Sequence, residues 1–255
     1  MSVPIVSRRG PGERIRTLED WKRLAPPASA VHWKAGRSAM ELARLWVEGD
    51  GEMLTTDLLA GHPSLAGFVA EKAVAEVQTA FDDYPGGRRN HDLLVVGRTD
   101  RGPVVVGIEA KADEAFDRPL KTVRAAAEKR QAKGERTNAI RRLDVLAQQI
   151  LGRTALDGDE PALSYQLFTA TAGTLAAADE HRATEAVLLI HEFLGHTDAR
   201  KVATNADSLA AFMSAAFGAP VPEGPSWVIE LGETPGYPGI AFHMAKLTTH
   251  VDPAP

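Results

Sequence analysis

Three residues near the middle of the chain have types and spacing suited to metal-assisted chemistry: Asp92 and, after a sixteen-residue gap, Glu109 and Lys111. Alternate side chains of an extended strand share a face, so Glu109 and Lys111 emerge together while Ala110 points away. The strand carrying them, Pro103-Val104-Val105-Val106-Gly107-Ile108, is apolar enough to be buried. Ending it in a carboxylate and an ammonium costs desolvation unless the two act together. If the strand led by Asp92 pairs antiparallel with it, all three charges meet at one end of a hairpin. Two carboxylates that close repel unless a cation lies between them, and Mg²⁺ or Mn²⁺ suits an all-oxygen site. Such a set permits hydrolysis of a phosphodiester. Asp92 and Glu109, helped by the Ile108 or Ala110 carbonyl, would hold the metal, and Lys111 would orient or deprotonate the attacking water.

The elements that must position these residues are legible as alternating helical and extended patterns. Ser38 to Glu48 has helical spacing of Met40, Leu42, Leu45 and Trp46 behind a serine able to cap it. Ser64 opens a second stretch, SLAGFVAEKAVAEVQTAF, which is expected to be helical and to turn extended near Val77. Asp92 to Val96 and Pro103 to Lys111 form the hairpin. Residues 119 to 151 have long helical character, SYQLFTATAGTLAAADEH gives another helix, and AVLLIHEF a strand. A last helix over Ala206 to Phe217 precedes two strands, SWVIEL and GIAFHMAKL. The order implies an α/β fold with a mixed sheet sandwiched by helices. Residues 1–30, rich in Pro, Gly and Arg, read as an N-terminal arm, and 31–255 as one domain.

Asp92, the gap, and Glu109-Ala110-Lys111 at the end of an apolar strand resemble the PD-(D/E)XK nuclease superfamily. Its restriction-endonuclease-like core sets a D…(D/E)-x-K group on a hairpin. The family usually has proline before the aspartate, where this chain has His91. The resemblance implies a supporting glutamate from a helix before the hairpin. Glu71 and Glu76 are the choices, with Glu71 favoured as lying further inside the expected helix, so the metal ligands would be Asp92, Glu109 and Glu71. It also implies a glutamine or lysine from a later helix, for which Gln166 stands. Segments around His32 to Ala39, Gly86 to Asp92 and Glu109 to Glu114 further resemble an uncharacterised bacterial protein family with this core. A homodimer cutting one DNA strand per protomer is what the resemblance implies for assembly.

Nucleic-acid contacts are expected from the Gly86-Gly87-Arg88-Arg89 loop and from Lys34 and Arg37 beside the first helix start. Arg118 to Arg142 adds nine basic residues against two acidic ones, a stretch able to follow a phosphate backbone despite the overall charge of −5. The absence of cysteine excludes thiolate metal sites. No long apolar run or secretory leader is visible, so a cytoplasmic protein without membrane partners is expected. His191-Glu192…His196 has one residue too many for the H-E-x-x-H zinc motif. The alternative to a nuclease is a catalytically inactive module of the same fold that binds nucleic acid or a protein partner.

Overall fold

The structure is a computed structural model that describes residues 3–7, 12–27, 29–85, 87–154, 162–195 and 198–251. Gly86 and His196, both named above, lie outside them. The described residues form a mixed α/β architecture: one eight-stranded sheet and seven α-helices. A meander makes the centre, β3 (Val69–Thr79), β4 (Arg89–Thr99) and β5 (Gly102–Lys111), with both its connections antiparallel. A two-residue turn at Asp100 and Arg101 joins β4 to β5, since Thr99 pairs with Gly102. β6 (Glu185–Leu194) lies parallel to β5, and β8 (Tyr237–His250) parallel to β6, with β7 (Trp227–Thr234) antiparallel at the edge. The far edge is β1 (Ile5–Ser7), parallel to β3, and β2 (Arg14–Ile15).

A strand buried on both faces reads as a continuous apolar run. β5 is such a strand, with Val104, Val105, Val106 and Ile108 all fully buried. Below the sheet lie α1 (Leu18–Leu24), α2 (Ser38–Glu48) and α3 (Gly51–Ala60), whose core includes Trp21, Leu42, Leu59, Leu93, Val104 and Ile108. Above it lie α4 (Leu120–Ala132), α5 (Ala139–Leu151), α6 (Tyr165–Glu180) and α7 (Ala199–Phe217), packed on Leu94, Val105, Leu188 and Phe242. Among the described residues no helix is long and apolar enough to cross a membrane.

Several sequence expectations need correction. The stretch after Ser64 is not helical: a turn leads into β3, so Glu71 and Glu76 are strand residues. Wedged between β1 and β4, Ala73 and Ala75 are fully buried, and sheet pairing overrides an Ala-, Glu- and Lys-rich composition that favours helix. Residues 119 to 151 form two helices parted near Gly134, which takes a φ of 75°. The N-terminal stretch is built into the sheet and lower core, where Ile5, Ile15 and Trp21 are buried. The last helix starts at Ala199, ahead of Ala206, and the N-cap of α2 is Arg37, not Ser38.

Candidate active site

The β4–β5 register pairs Leu93 with Ile108. One step further sets Asp92 opposite Glu109, and residues directly opposite across antiparallel strands share a face. The Asp92 carboxylate accepts the Ala110 N–H at 2.8 Å, which ends the ladder there. Lys111 Nζ lies 2.8 Å from Glu109 Oε1 and 5.3 Å from the centre of the Phe116 ring. Glu109 also accepts hydrogen bonds from Arg89 Nη2 and Gln166 Nε2. Gln166, in the first turn of α6, is itself steered, because its Oε1 accepts the Asp117 N–H at 3.1 Å. Glu109 and Lys111 are nearly inaccessible, at 3% and 4% exposure.

A local slip in the sheet creates this corner. On β4, Leu93 and Val95 pack into the lower core, whereas His91 and Arg89 pack against Gly173 of α6 above the sheet. On β3, Ala73 and Ala75 face the lower core, whereas Val77 and Thr79 face upward. Odd-numbered side chains therefore change face between 75 and 77 and between 91 and 93. Glu76 sits at the slip with a left-handed φ of 51°, a conformation that costs a non-glycine residue about 1–2 kcal/mol. Its carboxylate accepts from the Asn90 side chain. Asp92 occupies the same kink on the neighbouring strand.

α6 reaches the site because it sits unusually close to the sheet. A Cβ on Gly173 would lie 2.8 Å from Arg89 Cγ and 2.9 Å from both His91 Nε2 and Thr79 Oγ1. A Cβ on Gly107 would collide with Thr174 Oγ1 and come within 3.2 Å of His91 Nδ1. His91 fills the space between these glycines and bonds Thr79 Oγ1 at 3.0 Å.

Burial dominates the electrostatics. Desolvation pushes the Lys111 ammonium below the usual lysine range, opposed by Asp92 and Glu114 and reinforced by Arg89. It likewise lowers Arg89, which Asp92 and Glu76 pull back toward its ordinary value. Burial holds the His91 ring neutral, with its pKa down at about 3, and the Arg89 charge adds to the effect. Glu114 is raised by burial, although Ser38 donates a hydrogen bond to it.

The structure thus brings together Asp92, Glu109, Lys111 and Gln166. Glu71 stands apart: it lies at the Ala70/Lys72 irregularity, four to five residues from the Asp92 level, roughly 15 Å along a strand. Glu76 is the β3 carboxylate level with Asp92. Arg89 is no loop residue: it belongs to β4, with 11% side-chain exposure, and pairs with Glu109. Arg88 and Lys34 are exposed. Arg37 bonds Asp113 at 3.0 Å, which ties the start of α2 to the segment after β5. Arg89 as a partner of Glu109 is the residue that sequence reasoning placed differently. Its signal was a position three residues before Asp92 on the same extended run. In the basic stretch, Lys121, Lys129, Lys133, Arg136 and Arg141 are exposed, while Arg142 is buried against Asp82 at 2.5 Å.

The chain belongs to the family described as "Domain of unknown function (DUF6946)", whose profile matches residues 14–243. No curated protein and no solved structure gives a significant match.

Proposed function

We propose that this chain is a metal-dependent nuclease of the PD-(D/E)XK type that hydrolyses DNA phosphodiesters. The observation that carries the reading is the meeting of two carboxylates and an amine, Asp92, Glu109 and Lys111, at one end of the β4–β5 hairpin. The donor set fits a hard cation: carboxylate oxygens of Asp92 and Glu109, and no sulfur. A Mg²⁺ or Mn²⁺ ion held there supplies charge to stabilise the phosphate and a bound water of lowered pKa. Glu76 is the β3 carboxylate level with Asp92, but Glu76, Asp92 and Glu109 do not gather within 4.8 Å of one another, so Asp92 and Glu109 would hold the ion and Glu76 would add only its charge.

The chain's own groups then have distinct tasks. Lys111, whose ammonium burial makes easier to deprotonate, first gives a proton to solvent, and the free amine then accepts the proton of the attacking water as its oxygen forms the new bond to phosphorus. The P–O bond to the leaving oxygen breaks, and that oxygen takes its proton from solvent. Gln166 Nε2 fixes the orientation of the Glu109 carboxylate. Arg89, bonded to Glu109, holds a guanidinium beside the site, where it would add positive charge for the phosphate oxygens. The exposed cations of α4 and α5, which follow directly from the site rim at Asp117, track the flanking backbone. The resemblance extends the reading to a cytoplasmic homodimer.

The test incubates purified protein with Mg²⁺ or Mn²⁺ and plasmid, linear and single-stranded DNA. Lys111→Ala is expected to lose at least about 100-fold in rate, the lower bound for a positioned proton acceptor. Equal activity of wild type and variant overturns the reading. One observation favours a catalytically inactive, nucleic-acid- or protein-binding module of the same fold instead. Glu109 is already satisfied by Lys111, Arg89 and Gln166, so the cluster holds together without an ion. Calorimetric titration with Mn²⁺ separates the two, since the inactive module shows no binding that Asp92→Ala abolishes.

A further inference from the structure

A second constellation lies below the sheet, at the other end of the parallel strands. One nitrogen each of His62 and His243 and one carboxylate oxygen of Glu230 lie within 4.8 Å of one another. His62 follows α3, and Glu230 on β7 is the direct cross-strand partner of His243 on β8. The buried carboxylate of Glu185, at the start of β6, organises them. Its Oε2 lies 2.6 Å from His243 Nε2 and accepts from Ser64 Oγ at 3.5 Å, while Ser64 Oγ lies 3.0 Å from His62 Nδ1.

This chain of contacts sets the His243 ring and positions the His62 ring. His243 donates Nε2–H to Glu185, which leaves Nδ1 with its lone pair. His62 Nδ1 lies 3.0 Å from Ser64 Oγ and 3.4 Å from the Ser64 backbone nitrogen, whose N–H can donate to it; binding an ion at Nε2 takes the tautomer that donates Nδ1–H to the serine oxygen, whose own proton goes to Glu185. His243 is fully buried, and its Nδ1 has no hydrogen-bond partner among the described residues. A buried polar atom without a partner costs about 1–3 kcal/mol, so one that persists asks for a ligand.

We propose that His62, His243 and Glu230 bind a zinc-class divalent cation, with Glu185 as the outer carboxylate that fixes the His243 imidazole and, through Ser64, supports that of His62. Two imidazoles and one carboxylate select Zn²⁺ or Co²⁺ over Mg²⁺ or Ca²⁺. Histidine ligands regularly donate their second ring N–H to a carboxylate, the arrangement that Glu185 supplies. Ligand atoms about 2.0–2.2 Å from a tetrahedral ion are about 3.3–3.6 Å apart, so the cluster needs to contract by roughly an ångström. His62 and Glu230 have the freedom for it, with side chains 21% and 47% exposed, and the same exposure gives the ion a way in. Three protein ligands leave a coordination position for water. The ion would clip the turn after α3 to the β7–β8 edge. It is separate from the Asp92 site: Glu185 pairs with Val104 and Glu192 with Lys111, seven residues apart along β6, roughly 23 Å.

The test uses the untagged full-length chain stripped with chelator and titrated with Co²⁺ by visible absorption and with Zn²⁺ by calorimetry. One equivalent is expected, with the intense ligand-field bands of a four- or five-coordinate cobalt centre. His62→Ala and Glu230→Gln, at partly exposed positions, are expected to keep the wild-type circular dichroism and lose those bands. Glu185→Gln is expected to weaken binding about 10- to 100-fold. Asp92→Asn is expected to leave the bands unchanged. The proposal is overturned if neither ion binds more tightly than about 1 mM, if binding survives in both His62→Ala and Glu230→Gln, or if Asp92→Asn removes it.

Discussion

Glu109→Gln should be the most damaging single change at the hairpin site in metal-free buffer. Its carboxylate is 3% exposed and holds two buried cations, Lys111 at 2.8 Å and Arg89. Removing the negative charge leaves both cations with Asp92, already bonded to the Ala110 N–H, and the weaker influence of Asp117, with Glu76 for Arg89 and Glu114 for Lys111. Breaking one partner out of a buried pair costs about 3–5 kcal/mol. A ceiling exists, because Lys111 can shed its proton: neutralising a lysine of pKa about 10.4 at pH 7 takes about 4.6 kcal/mol. Lys111→Met is milder, since Glu109 keeps Arg89 and Gln166 and the new side chain packs on Phe116, so about 1–2 kcal/mol is expected. Urea unfolding followed by tryptophan fluorescence in EDTA measures both. If Lys111 is neutral in the Glu109→Gln protein, that penalty must shrink between pH 7 and 9, because only the unfolded chain then carries the proton. A Glu109→Gln loss under about 0.5 kcal/mol, or one smaller than that of Lys111→Met, refutes the charge assignment.

Gly173→Ala gains about 1 kcal/mol of helix propensity but forces a methyl within 3 Å of Arg89, His91 and Thr79, an overpacking cost of about 1–3 kcal/mol. The expected result is a less stable protein with α6 displaced and, under the proposed function, cleavage reduced through Gln166, and a stabilised variant would show that α6 does not bear on this gap. Acid sensitivity is expected from His91 and His191, both held by burial at a pKa of about 3 against 6.5 when free. Between those values only the unfolded chain is protonated, so stability falls as pH drops from 6.5 toward 3, by about 1.4 kcal/mol per pH unit for each ring. His191→Gln should flatten the urea-midpoint profile between pH 4 and 6, and an unchanged slope would count against a buried neutral ring.

The hairpin was readable because its two strands carry apolar runs and a short polar turn separates them, so Asp92, Glu109 and Lys111 could be placed by period alone. β3 was not. The apolar residues leading into it and along it, at 65, 68, 69, 73, 74 and 77, mimic helical spacing, and the strand alternation that would have corrected this is broken at Glu76. A period of two holds over Ala73 and Ala75 and again over Val77 and Thr79, but on opposite faces. That same break explains why Glu71 looked preferable to Glu76. The N-terminal strands were hidden by length: three and two residues are too few to show a period, and partners at 73–75 decide their fate. Likewise, His62, Glu185, Glu230 and His243 are spread over 182 positions, and only the sheet order brings them together.

The residue before Asp92 illustrates how packing and site chemistry share one cause. A proline there would stiffen the chain at the kink; this chain has histidine at a point where two glycines, 107 and 173, open a gap between sheet and helix. A proline ring would leave that gap partly empty and Thr79 Oγ1 without its partner. The His91 ring fills it, and the Thr79 bond at 3.0 Å holds β3 and β4 together beside their slip. Because the glycines let α6 approach, the first turn of that helix reaches the hairpin end, and Gln166 meets Glu109 without any loop between them. Packing therefore holds the kink beside Asp92: a buried neutral ring does there what a restricted φ would otherwise do.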